Sequence, residues 1–205
     1  MSDLVRAEFD AVHAAREVGL AGCRRTIRAA GSAIRAVHRR QPERAAALMA
    51  ECEAALREAQ GAVAPFPSLA HAAFVHDAEK EFVEATLTAA LIDADPLADW
   101  RQLDVGTPAW LHGLCEAASE LRRHILDRLR AGDVATAERL LGAMEDAYEL
   151  IVTIDYPDAI TAGLRRAADS LRAVLERTRS DLTTTLLQFR LQAAVQGRIP
   201  PELGD

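Results

Sequence analysis

Aromatic residues make up only 4% of this 205-residue chain, too few for the ring-packed core of a typical β-sandwich. No apolar run reaches the roughly 18 residues of a membrane-spanning helix, and the first ten residues, MSDLVRAEFD, lack the apolar stretch of a signal peptide. A soluble, cytoplasmic protein is therefore expected. The three cysteines, Cys23, Cys52 and Cys115, are odd in number and show no CxxC spacing, which argues against both a disulfide framework and a zinc site and leaves small buried thiols. Lysine is almost missing, with Lys80 alone among the 24 basic residues. Chemical signatures are missing too. There is no glycine-rich phosphate loop, no GxSxG and no HExxH, and Glu120 to His124 is one residue too long for the Glu-x-x-His of a diiron bundle.

Half of the residues are apolar, and alanine, leucine, arginine and glutamate dominate, the composition of an all-α protein. Apolar residues recur at three and four from Leu4 to about Arg40, where Gln41 and Pro42 break the pattern and Pro42 opens a second helix to about Gly61. The glycines inside the first helix, Gly19, Gly22 and Gly31, suggest close packing. VAPFPS is a connection, a third helix starts near Ser68 and ends near Ile92, and residues 93–106 are a loop with one turn around Leu97 to Arg101. Thr107 and Pro108 begin a fourth helix that Gly132 ends. Asp133 caps a fifth, and Asp155 with Pro157 caps a sixth that runs to about Gln196. The expectation is one helical domain over residues 1–196 with a flexible C-terminal tail at 197–205, since no repeat, low-complexity tract or composition shift divides the chain.

Two carboxylate sets stand out. Asp77, Glu81 and Glu84 are spaced by four and three, so on a helix they form one row about 60° wide, fenced by Phe74, Ala85 and Ile92 on one side and Leu87 and Leu91 on the other. Glu116 and Glu120, four apart, project roughly opposite the stripe of Leu111, Leu114, Ala118, Leu121 and Ile125. Two helices offering such pairs can supply an oxygen site for Mg²⁺ or Mn²⁺; the alternative is a solvated acidic stripe. Gathered without a cation, the carboxylates would raise one another's pKa.

The formal net charge of −7 argues globally against a nucleic-acid binder, but its distribution does not. Between Glu17 and Glu43 no acidic residue interrupts Arg24, Arg25, Arg28, Arg35, Arg39 and Arg40. That helix is expected to meet phosphates, or else to pair with an acidic neighbouring surface.

The stretch from Gly132 to Leu186 adds a further indication. DYPDAIT, the following GLRR, the spaced arginines of DSLRAVLERTRSDLT, the upstream EFVEA and the paired glutamates of CEAASELRR together resemble the translin superfamily, in particular its prokaryotic members and the translin-associated factor X branch. The resemblance implies a translin-like bundle of six to seven helices that assembles into a closed homo-oligomer, usually an octamer, and handles RNA or single-stranded DNA. It further implies a metal-dependent endoribonuclease acting on single-stranded RNA, with Glu81, Glu84, Glu116 and Glu120 holding the divalent cation, for which the oxygen ligands suit Mg²⁺ or Mn²⁺; Asp77, one turn before Glu81, is by its position the reserve ligand or an outer-shell partner. Glu116 departs from the family, whose active members usually carry aspartate there. A non-catalytic single-stranded nucleic-acid-binding shell is the alternative. DYPDAIT is better explained by helix capping than by catalysis, while Arg165 and Arg166 are candidates for phosphate contact or interface pairing.

Overall fold

A computed structural model describes residues 1–197 and contains, among them, eight helices and no strand. They are α1 (Ser2–His38), α2 (Pro42–Val63), α3 (Pro67–Ala70), α4 (Ala73–Asp93), α5 (Thr107–Arg130), α6 (Val134–Val152), α7 (Asp158–Thr161) and α8 (Leu164–Val195). No helix among the described residues is long and apolar enough to cross a membrane. Apart from Gly197, the expected tail lies outside the described residues.

Local chemistry sets most of the ends. Pro42 and Pro67 begin α2 and α3, where the missing N–H is not needed. Asp133 caps α6 by accepting from Thr136 N at 3.2 Å, directly after Gly132 has turned the chain at φ +77°. Two expectations need correction. The helix expected from Ser68 to Ile92 is interrupted: Leu69 is buried as the anchor of the short α3, and the chain extends at Ala72 before α4 begins. Asp155 caps nothing; it is exposed and pairs with Arg165 at 3.5 Å, while Pro157 stands at the N-cap of α7 without a side-chain bond. Ala162 and Gly163 then take φ +55° and +85°, which separates α7 from α8.

The central pair is α4 and α5. On one side α1 and α2 pack together and against α4; on the other α6 and α8 pack against α5. One core runs through them, with Leu56, Leu87, Leu114, Leu121, Ile125, Leu140, Met144 and Leu171 essentially inaccessible. Cys23, Cys52 and Cys115 are buried and unpaired, and burial is the main cause that pushes their thiols up to about 11, 12 and 12, so they are inert packing groups.

Small residues decide how closely the helices approach. A Cβ on Gly22 would lie 2.8 Å from Ala59 Cβ, so α1 and α2 touch there. A Cβ on Gly113 would lie 2.6 Å from Val83 Cβ and 2.9 Å from the Lys80 carbonyl oxygen, so α5 rests directly on the backbone of α4. Residues 94–106 are tied to this frame: Trp110 donates from Nε1 to Ala98 O at 2.9 Å, Arg57 donates to the carbonyls of Leu103 and Asp104 at 2.7 and 3.0 Å, and Glu79 accepts from Gly106 N.

Gly113→Ala is expected to destabilise the protein by about 1–3 kcal/mol, because backbone and a branched side chain must both give way. Gly142→Ala, with nothing within 4 Å of the new methyl, is expected to stabilise by about 0.5–1 kcal/mol. Urea denaturation of the two variants checks the contrast.

Candidate metal centre

Because α5 rests on α4 at Gly113, the side chains one turn further along face each other across the seam. Glu81 and Glu84 of α4 and Glu116 of α5 each place a carboxylate oxygen within 4.8 Å of the other two. Glu84 is only 9% exposed. At that separation two full charges repel by about 3 kcal/mol at an effective dielectric of about 20, so three bare carboxylates there require compensation.

The compensation is visible. Lys80 Nζ donates to Glu116 Oε1 at 2.7 Å and lies 3.3 Å from Glu81 Oε1. Burial alone would lower the Lys80 pKa, but Glu116 and Glu81 outweigh it and hold the ammonium charged. Glu84 goes the other way: burial, then the charges of Glu116, Glu81 and Glu120 and a hydrogen bond with Glu116 raise its carboxyl to about 8. Glu84 therefore holds a proton at neutral pH when no other cation is present.

Glu120 lies beside this cluster rather than in it. Its Oε2 is 2.8 Å from Nε2 of His38, whose side chain is only 3% exposed. The hydrogen bond from His38, opposed by burial and assisted by the charges of His38 and Arg123, lowers the Glu120 pKa. Asp77 is exposed and outside the three-carboxylate cluster. At its level the seam is filled instead by His76 of α4 against His112 of α5, rings edge to face at 5.6 Å, with His112 Nε2 3.0 Å from Thr161 O. Lys80 and His38 are the participants that sequence reasoning missed. Lys80 carried one available signal, its place immediately before Glu81; His38 reaches its partner across 82 positions of the chain and carried none.

The arginines fall into groups. At 100° per residue Arg24, Arg28 and Arg35 share one exposed face of α1, and Arg39, at its C-cap, continues that face. Arg25 instead pairs with Glu58 of α2. Arg40, at φ +56°, lines a cavity of about 560 Å³ with His124 and Arg128 that includes none of the three clustered carboxylates. Arg165 is engaged with Asp155, and Arg166 is exposed.

An all-oxygen donor set with three converging carboxylates suits a hard divalent cation such as Mg²⁺ or Mn²⁺, and Glu81, Glu84 and Glu116 would hold it, with Glu120 adjacent.

No family model matches the chain. It is 29% identical over 131 residues to an uncharacterised protein of Methanocaldococcus jannaschii, a match covering 63% of this chain and 58% of that protein, so the chain spans little more than half the length of that curated relative. Among solved structures it is similar to AfC3PO in complex with duplex RNA, at 30% identity and a TM-score of 0.84, covering 91% of this chain and 96% of that one. A crystal structure of AfC3PO matches at 30% identity and a TM-score of 0.83, covering 91% of this chain and 97% of that one. Apo-NeC3PO, at 17% identity and a TM-score of 0.81 over 89% of this chain and 96% of that one, shares the fold.

The Glu84 proton makes stability depend on pH. An unfolded glutamate loses its proton near 4.5 and the native one near 8, so in that window the native state binds the extra proton and stability falls as pH rises, levelling above about 8. In EDTA, Glu84→Gln is expected to melt at a higher temperature than the unsubstituted chain at pH 8, with the gap shrinking toward pH 5. Thermal melts of both proteins over that range isolate this group; a constant gap would remove the assignment.

Proposed function

Because this chain belongs to the translin superfamily, we propose that it binds RNA and cuts single-stranded RNA with the help of a divalent cation at the α4–α5 seam. The observation that carries the nuclease reading is the convergence of Glu81, Glu84 and Glu116 on a spot where one carboxylate is buried. A fold needs no such arrangement for stability, since gathering like charges in a partly buried seam costs free energy that a proton or a counter-cation must offset. RNA binding is supported by the AfC3PO relative, which was captured with duplex RNA; preference for single strands over duplex, and for RNA over DNA, is part of the proposal.

A cation held there by Glu81, Glu84 and Glu116 would supply a lowered water pKa and neutralise charge developing on a scissile phosphate. The protein's own residues set the geometry. Glu81 and Glu84, three apart on α4, and Glu116 from α5 fix three oxygens on two rigid helices. As a ligand Glu84 would be ionised, its proton released to solvent. His38 restrains the Glu120 carboxylate and keeps it ionised at the edge of the cluster. Arg24, Arg28, Arg35 and Arg39 form the phosphate-facing stripe of α1 that positions the strand.

A non-catalytic binding shell is the second reading, and one observation favours it: Lys80 already engages Glu116 and Glu81, so part of the acidic cluster is satisfied without a metal. Self-association belongs to both readings. The first half of α1 and the end of α8 leave Leu4, Val5, Phe9, Leu187, Leu191 and Val195 exposed, more apolar surface than an isolated bundle presents without a partner. We assign them to contacts between copies in a closed assembly of the octamer type.

Cleavage of a labelled single-stranded RNA is expected to require Mg²⁺ or Mn²⁺, to stop in EDTA, and to fall by about a hundredfold or more in Glu84→Gln while RNA stays bound. Replacing Arg28, Arg35 and Arg39 with alanine should weaken binding and reduce its salt slope by about 2. RNA bound tightly but never cut by the unsubstituted protein would decide for the binding shell. Light scattering is expected to give a closed oligomer, and a monomer at micromolar concentration would exclude it.

A further inference from the structure

Arginine supplies 23 of the 24 basic residues, and the remaining one, Lys80, sits inside the carboxylate cluster. Its ammonium donates to Glu116 Oε1 at 2.7 Å and stands 3.3 Å from Glu81 Oε1, so two of the three converging carboxylates already share a cation. The Lys80 side chain is 19% exposed, enough to leave toward solvent by rotation about its four-carbon stem. A guanidinium at this position would bind a carboxylate through two donors and exchange less readily; a compact ammonium is the cation that can be replaced.

We propose that Lys80 is a resident counter-ion of the site: its ammonium holds Glu81 and Glu116 together in the metal-free protein and competes with the divalent cation for the same oxygens. The inference rests on the metal site proposed above. A divalent ion that takes up Glu81 and Glu116 must break both Lys80 contacts, because a second positive centre among those oxygens would be repelled by the ion at short range. Lys80 therefore sets how much divalent cation the site needs before it fills. It also keeps the carboxylates converged until then, a positioning role separate from ligation.

The test is binding of Mn²⁺ to the intact protein, read by calorimetry and by the paramagnetic resonance of free Mn²⁺, alongside the metal-free melting temperature. Lys80→Met is expected to bind Mn²⁺ about tenfold more tightly than the unsubstituted protein while melting at a lower temperature in EDTA. Lys80→Arg is expected to keep the weaker affinity or weaken it further. Adding Glu84→Gln to Lys80→Met should abolish the gain, which places it at this site. A Lys80→Met protein that binds Mn²⁺ no more tightly than the unsubstituted one overturns the counter-ion role and leaves the metal site standing. If neither protein binds Mn²⁺ at millimolar concentration, the metal site itself is wrong and this inference falls with it. Binding by Lys80→Met alone supports both.

Discussion

The contact on which the rest depends is the close approach of α4 and α5 at Gly113. With any side chain there, Val83 and the Lys80 carbonyl would force the helices apart. One turn further along, Glu116 would then leave the reach of Glu81 and Glu84. The same device recurs at Gly22, where α1 lies against Ala55 and Ala59 of α2. That packing holds the far end of α1 where His38 meets Glu120. Backbone approach, which no side chain advertises, is thus what turns spaced carboxylates on separate helices into one site.

Electrostatics explains why such a site tolerates its own charge. Three carboxylates gathered within 4.8 Å are offset in the metal-free state by the Lys80 ammonium and by a proton on Glu84. Glu120, outside that group, is ionised because His38 stabilises its charge. The two glutamates of α5 therefore differ in their partners although they lie on one helical face: Glu116 meets a lysine of α4 and Glu120 a histidine of α1. Environment, not residue type, assigns their states.

Much of the fold was legible because helix signals are local. Pro42, Gly132 and Asp133 act within a turn of themselves, and each ends or begins a helix as its chemistry requires. The break before α4 and the separate α7 were not legible: burial of Leu69 and Thr161 fixes those short turns, and burial is a property of the whole packing. DYPDAIT shows how a strong local rule loses. Asp155 had the sequence of a cap, yet its partner is Arg165 on α8, beyond the short α7. The carboxylate rows were visible in the spacing alone, but spacing treats Asp77 and Glu84 alike. Only the seam distinguishes them, since His76 and His112 fill it beside Asp77 and leave that side chain in solvent.

The acidic net charge and the proposed nucleic-acid role are compatible because charge is segregated by helix. The face of α1 bearing Arg24, Arg28, Arg35 and Arg39 carries positive charge with no acid on its own helix between Glu17 and the C-terminus of α1. His38 lies about 60° round the helix from Arg35, at the edge of that face, and its ring is also the contact that reaches Glu120. The basic stripe faces away from the packed side of α1, and His38, at its edge, is the residue at this end of the helix that reaches the acidic side chain of α5. In the proposed function a divalent cation in the cluster would leave its net charge negative but would give the scissile phosphate one positive centre to meet, so the site would need to be filled before a strand is accepted there.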